Sequence, residues 1–500
     1  MMFTQAQWIA LLPILLTAAT PIAVMAAIAI KRDHWWNATI CVAGLNLTLF
    51  SCSVLFFGPM IASKLGAFAQ YLPVLPQPVT PLLLIDNYSL LYMGLILSAT
   101  LATATLLHAY MEGYQGNKEE IYLLLTISAL GAVVLACANH MASLFIGVEL
   151  LSVPLYAMVA YPVKLRGALE GGLKYLVLSA AASAFLLFGM ALIYSQTGTL
   201  TFQGIAEWNL AAGTGNAVVL TGVSMMLVGA GFKLSVVPFH FWTPDVYEGA
   251  PAPVTGFLAT ASKTAMFAVL LRFFIEGGFY RYASLLDVLT AMAVASIMVG
   301  NVLALFQTNI KRMLAYSSIA HFGYLLVALI AAGPLAVEAV GVYLITYVVT
   351  TLSAFGVVTL MSSPFGERDA TQIYDYRGLF WRRPFLTSIM AVAMLSLAGI
   401  PLTAGFIGKF YVIAAGVDHH LWILLAAVVA GSAIGLYYYL RVMITLFLLD
   451  PQRRRFSAPL QWAQQIGGLM VLGLMLLMLL LGIYPQPFIG FIQSAGLIAH

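Results

Sequence analysis

The sequence predicts an all-α polytopic membrane protein: about fourteen transmembrane helices, among them two inverted five-helix repeats, with spans 7 and 12 broken inside the membrane. Three observations predict it. Of the 500 residues, 62% are hydrophobic and only 8% charged, against roughly 25% charged in a soluble domain. Mean hydropathy is +0.97, and apolar runs of the ~20 residues needed to cross a hydrocarbon core recur along the whole chain. Glycine and proline fall between those runs, as at Gly58-Pro59, Tyr161-Pro162 and Gly333-Pro334, where helices stop. No stretch is left that would fold as a separate soluble domain.

The spans are read at about 7–30, 35–58, 85–109, 119–138, 140–161, 168–195, 216–236, 251–275, 283–306, 310–332, 335–361, 385–416, 420–448 and 463–489. The first, Trp8 to Ile30, lacks a basic flank and exceeds a signal-peptide core in length, so it reads as a retained helix. Loop charge supports the count. Loops after odd-numbered spans hold Lys31, Arg32, Lys118, Lys164, Arg166, Lys311, Arg312, Arg368, Arg377, Arg382, Arg383, Arg453, Arg454 and Arg455. Those after even-numbered spans hold only Lys64, Arg272 and Arg281. By the positive-inside rule the larger set faces the cytoplasm and both termini face the opposite, periplasmic side. One miscounted span would mix the two sets.

Two spans are interrupted. Span 7 runs through Gly231-Phe232-Lys233-Leu234-Ser235-Val236-Val237-Pro238, and proline removes a helix hydrogen bond. Span 12 reads Gly399-Ile400-Pro401-Leu402-Thr403-Ala404-Gly405-Phe406-Ile407-Gly408-Lys409. Non-helical backbone at that depth survives only when buried in protein or lining a wet cavity. Each break carries a lysine, and the two lie an odd number of spans apart, so they enter the membrane in opposite senses. Matching interrupted segments of opposite polarity predict inverted-topology repeats. The expected organisation is residues 1–110 for spans 1–3, 119–275 for the first repeat (spans 4–8), 283–448 for the second (spans 9–13), and 463–489 for span 14.

Against this apolar background five ionisable residues stand inside spans: Glu149, Lys174, Lys233, Lys263 and Lys409. Each costs a few kcal/mol to insert, so each asks for a function. For Lys233 the plain alternative is a lysine whose stem reaches the interface; its depth beside a break argues for a proton carrier. His240, seven residues on, would return to nearly the same helix face. Burial favours a neutral lysine and a nearby carboxylate favours a charged one, so moving the carboxylate switches the lysine. Glu149 is the one carboxylate well inside a span and is expected to pair with a cation, either as a fixed structural pair or as that switch. Lys263, flanked by Ser262 and Thr264, suits a relay between two half-channels, and Lys409 suits the second half-channel.

Lys174 is open to a plainer reading, since Glu170 precedes it in the favourable i,i+4 order for an ion pair. His321, in Tyr316-Ser317-Ser318-Ile319-Ala320-His321-Phe322-Gly323-Tyr324, is either a hydrogen-bonded core histidine or a relay, because an imidazole ordinarily titrates near neutrality. Tyr437, Tyr438, Tyr439 and Arg441 read as interfacial. Asp86 and Glu338, close to span starts, read as caps.

Redox and nucleotide chemistry have no residues to carry them. There is no glycine-rich fingerprint opening a helix after a strand, no phosphate-binding loop and no intramembrane histidine pair suited to haem. Cys41, Cys52 and Cys137 lie within apolar runs without metal-ligand spacing and read as small hydrophobes. A net charge of +4 on such a chain gives no nucleic-acid surface. Energy for transport must come from an ion gradient or a partner.

The stretch Gly231-Phe232-Lys233-Leu234-Ser235-Val236-Val237-Pro238-Phe239-His240-Phe241-Trp242-Thr243-Pro244-Asp245-Val246-Tyr247-Glu248-Gly249-Ala250-Pro251-Ala252-Pro253-Val254 resembles the signature of the antiporter-like membrane subunits of respiratory complex I, the NADH:quinone oxidoreductases. Leu258-Ala259-Thr260-Ala261-Ser262-Lys263, Gln307-Thr308-Asn309-Ile310-Lys311-Arg312 and the segment around His321 add to it. The resemblance covers essentially the whole chain. It implies fourteen core helices with two inverted repeats, and a proton path using a glutamate in span 5, lysines in spans 7 and 8, and a lysine or glutamate in span 12. These fall on Glu149, Lys233, Lys263 and Lys409, with His321, His240 and Lys174 as possible relays.

The same resemblance implies no metal and no cofactor in this chain, flavin and iron–sulfur clusters in partner subunits, other membrane-arm subunits including antiporter-like neighbours as partners, and a bacterial inner membrane location. It implies a member with lysine in span 12 and without a long lateral helix after span 14. The alternative is a subunit of a multi-subunit sodium/proton antiporter, which shares lysine-bearing broken helices; Tyr247-Glu248-Gly249-Ala250-Pro251 favours the first reading.

Overall fold

The computed structural model describes residues 4–58, 73–112, 114, 116–362, 369–448 and 462–496, with the side chains of 462–464 left aside. Lys64, Arg368, Arg453, Arg454 and Arg455 lie outside these residues. The chain runs α1 (Gln5–Ile30), α2 (His34–Phe57), β1 (Gln77–Thr80), β2 (Leu83–Ile85), α3 (Asn87–Met111), α4 (Glu120–Ala136), α5 (Met141–Val159) and α6 (Arg166–Thr197). Next come α7 (Phe202–Ala212), α8 (Ala217–Leu234), α9 (Trp242–Gly249), α10 (Ala252–Glu276), α11 (Ala283–Leu305) and α12 (Ile310–Ala331). The last elements are α13 (Pro334–Met361), α14 (Pro384–Ala398), α15 (Ala404–Asp418), α16 (Trp422–Phe447), α17 (Trp462–Ile483) and α18 (Gln486–Ser494).

Among the described residues, 12 helices are long and apolar enough to cross a membrane, and α4 and α14 are shorter apolar helices. Each predicted span coincides with a helix, except that span 12 is two, α14 and α15, and span 14 runs past the end of α17 into α18. Local chemistry fixes many starts. Asp86 accepts from Ser89 N at 2.7 Å in a reciprocal capping box at α3, and Asn309 accepts from the first amides of α12, so the orphan donors of those helices are satisfied.

Burial sorts the helices. The apolar windows of α10 and α13 are 100% buried and that of α12 is 94% buried, whereas those of α1 and α6 are 33% buried. The three central helices are wrapped by the others, and the polar residues of the candidate site sit on or against them. Small residues allow the close approach that membrane helix packing requires. A Cβ at Gly189 of α6 would run into Gly222 O of α8. One at Gly131 of α4 would meet the α5 backbone at Leu150 and Leu151, beside Ser152.

Two cations assigned to loops are corrected. Arg272 lies within α10 with its side chain 1% exposed, paired to Asp86 at 2.7 Å. Lys311 lies in the first turn of α12, 1% exposed, and donates to Asp369 at 2.7 Å and to Ala250 O at 2.5 Å. Both look like span-end charges in sequence because their nearest carboxylate partners, Asp86 and Asp369, are more than fifty residues away. The antiparallel β1–β2 hairpin, bridged to Ala138 through Leu83, and the short helices α7, α9 and α18 were not expected.

Candidate proton-transfer site

Lys233, Lys263 and Lys409 each sit at an irregularity of the helical scaffold. Helix α8 ends at Leu234, where Ser235 adopts φ 63°, so Lys233 occupies the last turn. The carbonyl end of a helix favours a cation. Lys233 Nζ donates to Ser152 Oγ of α5 at 2.5 Å and to Ser179 Oγ of α6 at 2.7 Å. Tyr156 OH donates to the same Ser179 at 2.6 Å. The rings of Tyr175, Phe232 and Tyr156 lie 5.2, 5.7 and 5.8 Å from the ammonium, within cation–π range.

Glu149 does not pair directly with Lys233, contrary to expectation: among the described residues no carboxylate oxygen comes within 4.0 Å of the ammonium. Ser152, one turn along α5, takes the ammonium instead. Glu149 Oε1 is buried with no hydrogen-bonding partner among the described residues. The carboxylate shares its helix face with Ile146 and Val153, which are 55% and 57% exposed, so it stands near the outer side of the bundle.

Lys263 follows a π-helical turn, Leu258–Ser262, a distortion that frequently marks functional positions. Its ammonium donates to Ser318 Oγ at 2.8 Å, and Tyr347 OH donates to the same oxygen at 2.8 Å. The rings of Phe322 and Tyr247 lie at 4.9 and 5.6 Å. Lys409, in α15, donates at 2.8 Å to Ala398 O, the last carbonyl of α14, and lies 5.4 Å from the Tyr324 ring.

Helix α12 therefore reaches both Lys263 and Lys409. Ser318 touches the first and Tyr324 the second, with His321 between them. His321 Nδ1 lies 2.6 Å from Tyr343 OH and Nε2 lies 3.1 Å from Tyr439 OH, which is 2.5 Å from Ser317 Oγ. Tyr324 lies six positions beyond Ser318, about 9 Å of helix rise. An imidazole held by hydroxyls at both nitrogens can exchange tautomers and hand a proton through.

His240 and Lys174 are placed apart from this line. The helix that would bring His240 back beside Lys233 ends at Leu234, and His240 lies in the following turn, 4.3 Å from the Phe241 ring. Lys174, with its side chain 40% exposed, bridges Glu170 at 2.6 Å and Asp245 at 2.7 Å. Arg312 binds Asp245 at 2.8 Å and Glu248 at 2.9 Å. Burial acts to raise the Asp245 carboxyl, but the hydrogen bonds from Lys174 and Arg312 outweigh it and hold the group below the usual carboxylate range.

Several participants escaped sequence reading. Ser152, Ser179, Tyr343 and Tyr347 carry no charge in an apolar run to single them out. Tyr438 and Tyr439 are not interfacial: they are 0% and 2% exposed, whereas Tyr437 is 64% exposed. Consecutive helix residues point about 100° apart, so three adjacent tyrosines could not share the outer face, and that was the available signal.

A polytopic helical bundle with buried lysines at two broken helices and at a π-turn defines an ion-translocating, antiporter-like membrane protein. The family model described as NADH:quinone oxidoreductase/Mrp antiporter, TM, matches residues 138–435, and the chain belongs to this family. It is 56% identical over 502 residues to NADH-quinone oxidoreductase subunit N of Ectopseudomonas mendocina, covering 99% of this chain and 98% of that one. It is 55% identical over 485 residues to the protein of the same name from Chromohalobacter salexigens, covering 97% and 98%. A chain of respiratory complex I from Thermus thermophilus with bound aureothin superposes with a TM-score of 0.80 at 32% identity, covering 97% of this chain and all of that one. A chain of the Mrp complex from a Dietzia species, 18% identical with a TM-score of 0.82 over 98% and 97% of the two chains, shares the fold.

Proposed function

We propose that this chain is a proton-translocating membrane subunit of an NADH:quinone oxidoreductase, coupling NADH-to-quinone electron transfer in other subunits to proton movement across the bacterial inner membrane. The observation that carries the reading is the line Lys263–Ser318–His321–Tyr324–Lys409, buried in an apolar body where such groups are costly. Flavin and iron–sulfur clusters belong to partner subunits in this reading. The chain crosses the membrane fourteen times with α14 and α15 as one interrupted crossing, residues 119–275 and 283–448 form the inverted repeats, and both termini face the periplasm.

In the mechanism, a rearrangement imposed by a partner changes the separation of Glu149 and Lys233. The carboxylate withdraws, Lys233 gives up its proton, and Lys263 receives it. The proton then passes over Ser318 and His321 to Lys409 and leaves on the far side. Glu149 lies one layer beneath a face exposing Ile146 and Val153, and a neighbouring antiporter-like subunit covers that face. Lys174, held by two carboxylates, anchors the cytoplasmic end rather than carrying protons.

The test is NADH-driven acidification of liposomes containing the intact complex. Lys233→Ala and Lys409→Ala are expected to lower the protons moved per electron while the complex still assembles. An unchanged ratio in both would make the chain a spacer and sink the proposal.

A further inference from the structure

Resting on this proton path, we propose that Trp242 is the closed gate of its lateral step, a positioning residue that keeps Lys233 and Lys263 out of protonic contact until the carbonyl end of α8 moves. The path has an asymmetry. From Lys263 to Lys409 the hydroxyls and imidazole of α12 lead onward, but between Lys233 and Lys263 stands an aromatic partition. Tyr175 lies 5.2 Å from Lys233 Nζ and stacks on Trp242 with centroids 4.7 Å apart and planes at 18°. Trp242 meets Tyr247 edge-on at 6.5 Å, and Tyr247 lies 5.6 Å from Lys263 Nζ. Tyr175, Trp242 and Tyr247 are 1%, 2% and 0% exposed. The stacked faces of Tyr175 and Trp242 carry no proton, because transfer needs a chain of hydrogen-bonding groups or water, and the buried Tyr247 hydroxyl has no hydrogen-bonding partner among the described residues to continue one.

The partition is tied to the lysine it isolates. Trp242 Nε1 donates at 2.9 Å to Phe232 O, the carbonyl next to Lys233 in the last turn of α8. Trp242 is also the first residue of α9, separated from α8 by the seven residues of the break. The indole is thus held by one hydrogen bond to the element that carries Lys233, while its own backbone belongs to another. A shift or unwinding of the α8 terminus breaks that bond and frees the ring. Tyr175 adds a second connection, since it contacts both the ammonium and the indole: a charged Lys233 attracts the ring, and a neutral one does not. Buried Thr243 Oγ1 and Thr264 Oγ1, next in sequence to Trp242 and Lys263, have no hydrogen-bonding partner among the described residues. They are the kind of groups that seat water once a gate opens. In the open state a proton leaves Lys233 Nζ and is taken up by neutral Lys263 Nζ; no electron moves.

The experiment uses the whole complex in liposomes with an internal pH dye, normalised to assembled complex on native gels, and reads passive proton conductance without NADH. Trp242→Ala, which removes the partition, is expected to raise the conductance about tenfold, the factor given by ~1.4 kcal/mol of barrier. Trp242→Phe keeps a ring but loses the N–H, and is expected to raise it by a smaller factor; this variant carries the test if the alanine complex fails to assemble. Adding Lys263→Met to Trp242→Ala is expected to return the conductance to the wild-type level, which a merely loosened core would not do. Wild-type conductance in Trp242→Phe and Trp242→Ala, or a leak that survives Lys263→Met, overturns the gate. Normal NADH-driven pumping by Lys263→Met alone would instead overturn the path on which the gate rests.

Discussion

Lys409 Nζ lies 2.8 Å from Ala398 O, so the lysine of one half-helix caps the carbonyl end of the other. The ammonium sits where the α14 dipole is negative, with Gly399 between the two. Gly399 has φ 83°, and a Cβ there would lie 2.8 Å from Lys409 Cδ and 3.2 Å from its Nζ. Gly399→Ala therefore both strains the backbone, by about 1–2 kcal/mol, and pushes the ammonium off its carbonyl. The expected result is an assembled complex whose NADH-driven proton pumping falls several-fold, with Lys409→Met falling further. Wild-type pumping by the alanine variant would show that the cap does not matter.

Lys233 depends on hydroxyls supplied by two other helices. A hydrogen bond to a charged group contributes about 1.5–3 kcal/mol. Ser152→Ala or Ser179→Ala is expected to slow pumping about tenfold or more by making protonated Lys233 costlier to hold. The double variant should exceed the sum of the two, because each serine can partly cover for the other and only the double leaves the ammonium without a hydroxyl. Full additivity in pumping rates would argue that the serines act on something other than the shared ammonium.

The positions of Lys233 and Lys409 were legible because a charge and a proline or glycine break coincide in an otherwise apolar run. The face of α12 was legible too, since Ser317, His321 and Tyr324 recur at helical spacing. What surrounds them was not. Tyr343 and Tyr439 reach His321 from α13 and α16, and nothing local in sequence records such a meeting. In a soluble helix the polar side marks solvent; here lipid-facing and protein-facing sides are equally apolar, so periodicity could not tell that Tyr438 points inward and Tyr437 outward. The β1–β2 hairpin, strands of four and three residues either side of Pro81 and Leu82, is too short to show alternation.

The cytoplasmic cluster makes a pH prediction. Asp245 is held below the usual carboxylate range by Lys174 and Arg312, so its ion pairs contribute stability above the unfolded value of about 3.9. That contribution is lost as pH falls through the lower folded value. Thermal midpoints of the assembled complex should thus be indifferent to this group from pH 8 down to about 5, and Asp245→Asn should flatten the decline below about 4. The size is modest, because the side chain is 34% exposed. An equally steep acid decline in the asparagine variant would remove Asp245 from the account.

The pair Arg272–Asp86 carries the largest stability prediction. Arg272 NH2 donates at 2.7 Å to Asp86 Oδ1, the oxygen that also accepts from Ser89 N to cap α3. The guanidinium lies 4.8 Å from the Tyr88 ring, and Tyr88 OH donates to Ala268 O at 2.7 Å. The contact therefore ties α3, outside the predicted repeats, to α10 at the centre of the bundle. Removing one member of a buried ion pair costs about 3–5 kcal/mol, because the other charge is left uncompensated. Arg272→Met should lower the yield of assembled complex and its thermal midpoint sharply. Asp86→Asn combined with Arg272→Met should recover part of that loss, since one of the two carboxylates facing the guanidinium is then neutral, Glu276 at 3.9 Å being the other, and the asparagine side chain still caps α3. The cycle of single and double variants isolates the coupling between the two groups. A midpoint for Arg272→Met equal to wild type would mean that α3 is held by apolar packing alone.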